Sequence, residues 1–447
     1  MGYVPNTPSD RAKMLSEVGA SSTSSLFDGI PKEVLLGGEL RLPKPLSEAD
    51  LARELSALSA KNLSVAHRTS FLGAGSYNHF VPAVVNHLVK RSEFYTAYTP
   101  YQPEISQGML QAIYEYQTLI CNLTGMDVAN ASMYDGATAS AEAASLACRH
   151  TGRGVIVVSD ALHPEYRAVI KTYARFAGFR TKEIGTTKGG TTDIEEIKKA
   201  VDDSTACFIL SQPNFFGCIE EVKGLADIVR SKGALFVVSV DPISLGILTP
   251  PGEYGADIVT GEGVSMGSPS SFGGPGLGLF AVKNSLVRLL PGRVVGATVD
   301  GEKRKGFVLT LQAREQHIRR ERATSNICSN EALMALAATV YLSAMGGRGL
   351  RRAAELCIQK ANYAKERISG LKGFSLPHSA PTFKEFVVKA PVPVKKINAA
   401  LLKQDIIGGL DLGRFYPKLR GHMLLCATEL TRKEDVDALV LALGKIK

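Results

Sequence analysis

The chain has 447 residues, 45% of them hydrophobic and 21% charged, with a formal net charge of +9. That length exceeds a single simple core, so two or more structural units are expected in an ordinary globular composition. Uninterrupted apolar runs fall far short of the roughly 20 residues that a bilayer span needs. The start, MGYVPNTPSDRAKML, has neither an apolar signal core nor an Arg/Ser-rich transit pattern, so the chain reads as cytoplasmic, with no membrane partner. Met1-Gly2 makes a poor myristoylation start because Pro5 and Asn6 fit that motif badly.

The seven cysteines (Cys121, Cys148, Cys207, Cys218, Cys328, Cys357, Cys426) are odd in number and scattered, with no C-x-x-C or Cys/His cluster. They read as reduced thiols, neither disulfides nor metal ligands. The densest basic stretches are 303–305 (KRK), between Gly301 and Gly306 as in a hairpin turn, and 314–322 (REQHIRRER), spaced as a solvated helix. No nucleic-acid motif accompanies them, so the charge is assigned to steering an acidic protein partner.

In chain order, residues 1–65 read as a helical arm. Residues 10–18 and 47–58 have helical spacing, Ser47 stands as an N-cap, and 42–45 (LPKP) forms an extended linker. Residues 66–310 alternate strands with helices. The strands are 154–159 (GVIVVS), 180–184, 206–211 (ACFILS), 234–240 and 258–260; the helices include 108–124, 164–176, 194–201 and 222–231. That alternation implies a mostly parallel sheet covered on both faces by right-handed crossovers. Residues 311–447 read as a linking helix (325–345) and a small α+β domain: strand 383–389, helix 394–404, strand 423–427 and helix 433–443.

Residues 93–108, EFYTAYTPYQPEISQG, form an unusual loop of tyrosines and prolines. Read from the residues alone, it is either a surface loop anchored by its aromatics or a rigid platform presenting phenol and amide groups to a ligand. The glycines of 273–278 (GGPGLG) precede a strand and open no helix, so they make no dinucleotide fingerprint.

Residues 70–144 and the run YTAYTPYQPEISQG within them closely resemble the glycine cleavage system P-protein family. So do 241–254 (DPISLGILTPPGEY), 261–278 (GEGVSMGSPSSFGGPGLG) and 320–333 (RERATSNICSNEAL). The match resembles the first, alpha, subunit of the split two-subunit form. It implies an α/β, aminotransferase-like fold of the pyridoxal-phosphate (PLP) dependent type I class. It also implies glycine decarboxylation with aminomethyl transfer to the lipoyl arm of an H-protein, releasing carbon dioxide, jointly with a second subunit in an α2β2 assembly.

The resemblance places Val264, after Gly263, where such enzymes carry the lysine that holds PLP as a Schiff base, and an isopropyl group forms no imine. Asp135 begins the run matching the phosphate cradle, with its carboxylate where a phosphate would sit and capping the helix itself. His163 falls where the family stacks a ring on the pyridine. Asp241, where the pyridine nitrogen is paired, is expected to be a relic bonded to backbone or hydroxyls. The five positions together read as a degenerate pocket, with no cofactor on this chain and PLP on subunit 2. Tyr95, Thr96, Tyr98, Tyr101, Gln102 and Glu104 would then wall the partner's active site. The alternative is a structural or regulatory subunit with no residue at the reaction centre. A stand-alone PLP enzyme is disfavoured, since Lys171, Lys188 and Lys283 follow the wrong strands.

Overall fold

The computed structural model describes residues 6–446, so Met1-Gly2 lies outside the described residues. Two compact units divide at Leu63 and Ser64. The first holds helices Pro8–Glu17 and Glu48–Ser59. Thr7 caps the first in a reciprocal box with Asp10, and Ser47 caps the second by accepting from the Asp50 amide at 3.2 Å.

The second unit is built on a seven-stranded sheet. In chain order its strands are β1 (Val128–Ala129), β2 (Val155–Ser159), β3 (Arg180–Ile184), β4 (Thr205–Gln212), β5 (Leu235–Val240), β6 (Ile258–Glu262) and β7 (Gly278–Val282). They lie in the order β1-β7-β6-β5-β4-β2-β3. Strands β2 to β6 run parallel, and β7 is antiparallel to β6. Alternate residues of each strand point to opposite faces. Phe208 and Leu210 of β4 join one core with Phe236 and Val238, while Cys207 and Ile209 join a second with Ile156 and Val158. Helices α1 (Gln107–Thr124) and α2 (Gly136–Thr151) cover opposite faces: Tyr116 and Ile120 lie in the first core, and an alanine-rich stripe including Ala139, Ala143 and Ala147 lies in the second.

Helices α3 (Pro164–Phe176), α4 (Ile194–Ala200) and α5 (Leu225–Arg230) follow as crossovers. Helix α5 begins three residues later than the sequence pattern suggests because Gly224 holds φ +78°. A hairpin, β8 (Val294–Val299) with β9 (Lys305–Thr310), lies against α1. Two glutamines bind it there like an added strand. Gln117 exchanges bonds with Val295 N and O at 2.9 Å each, and Gln107 does the same with Phe307 at 2.8 Å each.

The basic stretch 314–322 is not the expected continuous helix. A positive φ at Leu311 precedes it and another at Arg320 interrupts it, leaving only Gln316–Arg319 in α conformation between 3-10 turns. The long apolar helix α6 (Ala332–Ser369) likewise starts well after residue 325. Residues 327–330 are instead held as a loop, with the Cys328 and Ser329 amides donating to Tyr134 Oη at 3.1 and 3.3 Å. By length and composition alone, α6 is the one described helix apolar enough to cross a membrane, though its apolar residues form no uninterrupted run of that length. It breaks at Gly346, and its Ala335, Ala338, Tyr341 and Ala354 belong to the sheet's core. A three-stranded antiparallel sheet, β10 (Glu385–Lys389), β12 (His422–Cys426) and β11 (Leu410–Asp411), completes the unit with helices α7 (Val394–Leu402) and α8 (Lys433–Gly444).

Candidate functional site

The carboxyl ends of the parallel strands converge on the N-terminus of α2, the usual location of a ligand site in an open α/β sheet. Asp241 follows β5, Glu262 ends β6, and Gly263 and Val264 come next. Phe383, Lys384 and Glu385, at the start of β10, close the space from the small sheet. The cavity left is ≈ 70 Å³, lined by Gly75, Tyr77, His163, Tyr166, Asn214 and Ser265 among others. That is room for a few waters.

Two internal side chains take the positions of charge. Glu262 accepts from the Gly136 amide at 2.9 Å, the Leu277 amide at 2.8 Å and the Val264 amide at 3.2 Å. Its carboxylate thus sits on the first turn of α2, where backbone N–H groups and the helix dipole favour an anion. Burial pushes its carboxyl pKa up, and the three amides pull the other way. Asp135 caps the helix as expected, but its carboxylate does not fill the cradle. It is the N-cap, accepting from the Thr138 amide at 2.7 Å, and the Gly136 amide is left to Glu262. A Cβ at position 136 would collide with Tyr166 Oη, so the helix start is closed by protein.

The second charge is Lys384. Its Nζ lies 2.5 Å from Asp241 Oδ2, 3.4 Å from the centre of the Tyr77 ring and 2.9 Å from His79 Nε2. Desolvation alone would lower its pKa, but Asp241 together with the neighbouring Cys426 and Cys357 outweighs it and the net direction is up. Asp241 accepts the Ile243 amide at 3.1 Å, as the backbone bonding expected of it requires, but its main partner is this lysine. Because the ammonium donates to Nε2 of His79, Nδ1 bears the proton and donates to Glu429 at 2.7 Å. Burial and the neighbouring ammonium hold His79 neutral by lowering its pKa. The His79, Cys357 and Glu429 ligand atoms lie within 4.8 Å of one another, yet Nδ1 is committed to this hydrogen bond and offers no lone pair to a metal.

His163 is half-buried and caps α3: Nδ1 accepts from the Glu165 amide at 3.2 Å and Nε2–H donates to Ala74 O at 2.9 Å. Sequence reasoning missed Glu262, Lys384, Glu385, Tyr77 and His79. A usable signal was Lys384-Glu385 side by side in an otherwise apolar strand, where one of the pair must face inward.

The tyrosine loop lies apart from this pocket's lining. Ser92–Tyr95 forms a short helical turn, with Phe94 half-buried against the hairpin's core. Tyr95 is 67%, Tyr98 87% and Tyr101 48% exposed, and Thr96, Gln102 and Glu104 are exposed as well. Pro100 is buried beneath them. The loop therefore exposes Tyr95, Tyr98, Gln102 and Glu104 over a fixed base.

Residues 1–443 match the family described as Glycine cleavage system P-protein. The chain is 53% identical to the "Probable glycine dehydrogenase (decarboxylating) subunit 1" of Desulforamulus reducens, over 100% of both chains. The chain belongs to the glycine cleavage system P-protein family. Its fold also matches a solved structure titled glycine decarboxylase (P-protein) of the glycine cleavage system, in inhibitor-bound form, at TM-score 0.92 and 44% identity over 100% of both chains. A sphingosine-1-phosphate lyase of Burkholderia pseudomallei, 14% identical, shares the fold alone at TM-score 0.66, covering 93% of this chain and 94% of that one. The architecture is the type I fold of PLP-dependent enzymes.

The P-protein pocket of this chain does not fit PLP. Val264 offers no amine, Glu262 occupies the anion cradle, and Lys384 neutralises Asp241. No step of a reaction is assigned to that pocket.

Proposed function

We propose that this chain is subunit 1 of a glycine dehydrogenase (decarboxylating), working only with a second subunit that carries PLP. Together they decarboxylate glycine and pass the aminomethyl group to the lipoyl arm of H-protein. The reading is supported by the family match along 443 residues, joined to a pocket that its own side chains fill. A two-fold α2β2 assembly suits a fold whose members build sites between subunits. The net charge of +9 suits an acidic H-protein. In this reading the exposed Tyr95, Thr96, Tyr98, Tyr101, Gln102 and Glu104 face the partner's cofactor as a preorganised wall.

Replacing Tyr95 or Tyr98 by Phe keeps the ring and removes one donor. In the assembled complex, glycine decarboxylation is expected to fall roughly 10²-fold, with assembly and PLP content retained. Full activity in both variants would favour the purely structural subunit.

A further inference from the structure

Arg293 immediately precedes β8 and is 3% exposed, and no proposed step accounts for a guanidinium there. Its Nη2 donates to Tyr101 Oη at 3.1 Å and to Cys328 O at 2.9 Å. Its Nη1 reaches Ser329 Oγ at 3.1 Å, Asn330 Oδ1 at 3.4 Å and Thr99 Oγ1 at 3.4 Å. The guanidinium carbon also lies 5.3 Å from the centre of the Tyr101 ring. Its counter-charge is Glu315, equally buried, with Nε 4.0 Å from Oε2. Glu315 also faces His317, whose ring meets Tyr101 edge-on at 5.9 Å.

One planar group therefore fastens three separate segments: the tyrosine loop, the 328–330 loop and the interrupted 312–322 stretch. Its own base is rigid. The Arg293 carbonyl accepts the Ala131 amide at 2.8 Å, and Val295, two residues on, is clasped by Gln117. The 328–330 loop is fixed independently by Tyr134, and Asn330 Nδ2 donates to Ala131 O at 2.9 Å. Thr99 and Tyr101 flank buried Pro100 and stand between the exposed Tyr98 and the exposed Gln102 and Glu104.

We propose that Arg293 is the positioning residue of the tyrosine loop: its buried fork holds Thr99 and Tyr101, and so sets the arrangement in which Tyr95, Tyr98, Gln102 and Glu104 meet the partner subunit. This rests on the shared-site reading above. A lysine does not replace it, because a single ammonium cannot span acceptors on separate segments as a planar fork does. The loop would then lose its preorganisation, and small displacements of positioned groups are costly in rate.

The test uses Arg293→Met and Arg293→Lys in the full chain, alone and assembled with subunit 2. Amide hydrogen exchange of residues 95–106 in the isolated chain should rise roughly tenfold or more, with exchange in β4 to β6 unchanged. In the assembled complex kcat should fall roughly 10²-fold at unchanged PLP content. If an Arg293 variant fails to assemble, the double variant Thr99→Val with Tyr101→Phe cuts the loop side of the same bonds and leaves the guanidinium on the 328–330 loop; it should loosen the loop alike. Unchanged loop protection and kcat in these variants, while Tyr95→Phe or Tyr98→Phe still lowers activity, overturns the role of Arg293 and leaves the shared site standing. Loosened protection with no loss of activity in any of the variants overturns the shared site itself.

Discussion

On the proposed reading Val264 stands where an imine-forming amine would be needed, and two further side chains of this chain fill the pocket beside it. Glu262 holds the amides a phosphate would take, and Lys384 holds the carboxylate a pyridinium would take. Val264→Lys alone is therefore expected to leave the isolated chain without PLP absorbance. Adding Glu262→Ser and Lys384→Met, which free the helix start and Asp241, should permit binding. Absorbance of a borohydride-reducible adduct in the single variant would show that the internal charges do not block the pocket. Glu385 offers a second test at this scale. Burial raises its pKa to about 7, against the Ala74 amide and Tyr77 Oη that favour the charged form. The folded state then binds more protons than the unfolded state between the ordinary carboxyl range and pH 7. Stability should fall as pH rises through that window and level off above it, by roughly 3 kcal/mol from this group. Denaturant midpoints from pH 4.5 to 8 should show a slope that Glu385→Gln removes; an identical slope in both proteins would contradict the assignment.

Elements whose apolar residues follow a single period were legible in the sequence. Strand β4, with Phe208 and Leu210 on one face and Cys207 and Ile209 on the other, and helix α3 fall where their patterns put them. What pattern does not encode is a contact between distant segments. The stretch 314–322 has helical charge spacing, yet Glu315 is drawn inward to Arg293 and the helix is cut at Arg320. Residues 325–331 look like the start of α6, but Tyr134 Oη and Ser132 Oγ take their amides. The site was legible to the same degree. The α2 cap follows from local sequence and the place of Val264 from the family resemblance, whereas Lys384 reaches Asp241 across 143 positions, from a strand that reads as an ordinary alternating element. The tyrosine loop stood out by composition, and its anchor Arg293 did not, because one arginine after Pro291-Gly292 carries no periodic signal.

Across the second unit, the same type I fold has one pocket closed and one surface open. The closed pocket ties the small sheet to the large one through Lys384 and Asp241, both removed from solvent, so the pair holds the strand carrying Phe383 to Glu385 against the ends of β5 and β6. Breaking one partner of such a pair leaves a buried charge and is costly. The open surface is the tyrosine loop, held from beneath by Pro100 and Arg293 and exposed at Tyr95 and Tyr98. On the proposed reading, such a chain contributes rigidity and a wall, and its cofactor is held by a neighbour. The most direct measurement is borohydride reduction of PLP-treated protein followed by peptide mapping, with this chain alone and then mixed with subunit 2. The account predicts no reduced adduct on the chain alone, and after mixing an adduct confined to subunit 2. A pyridoxyl lysine on this chain, at Lys384 or elsewhere, would contradict it.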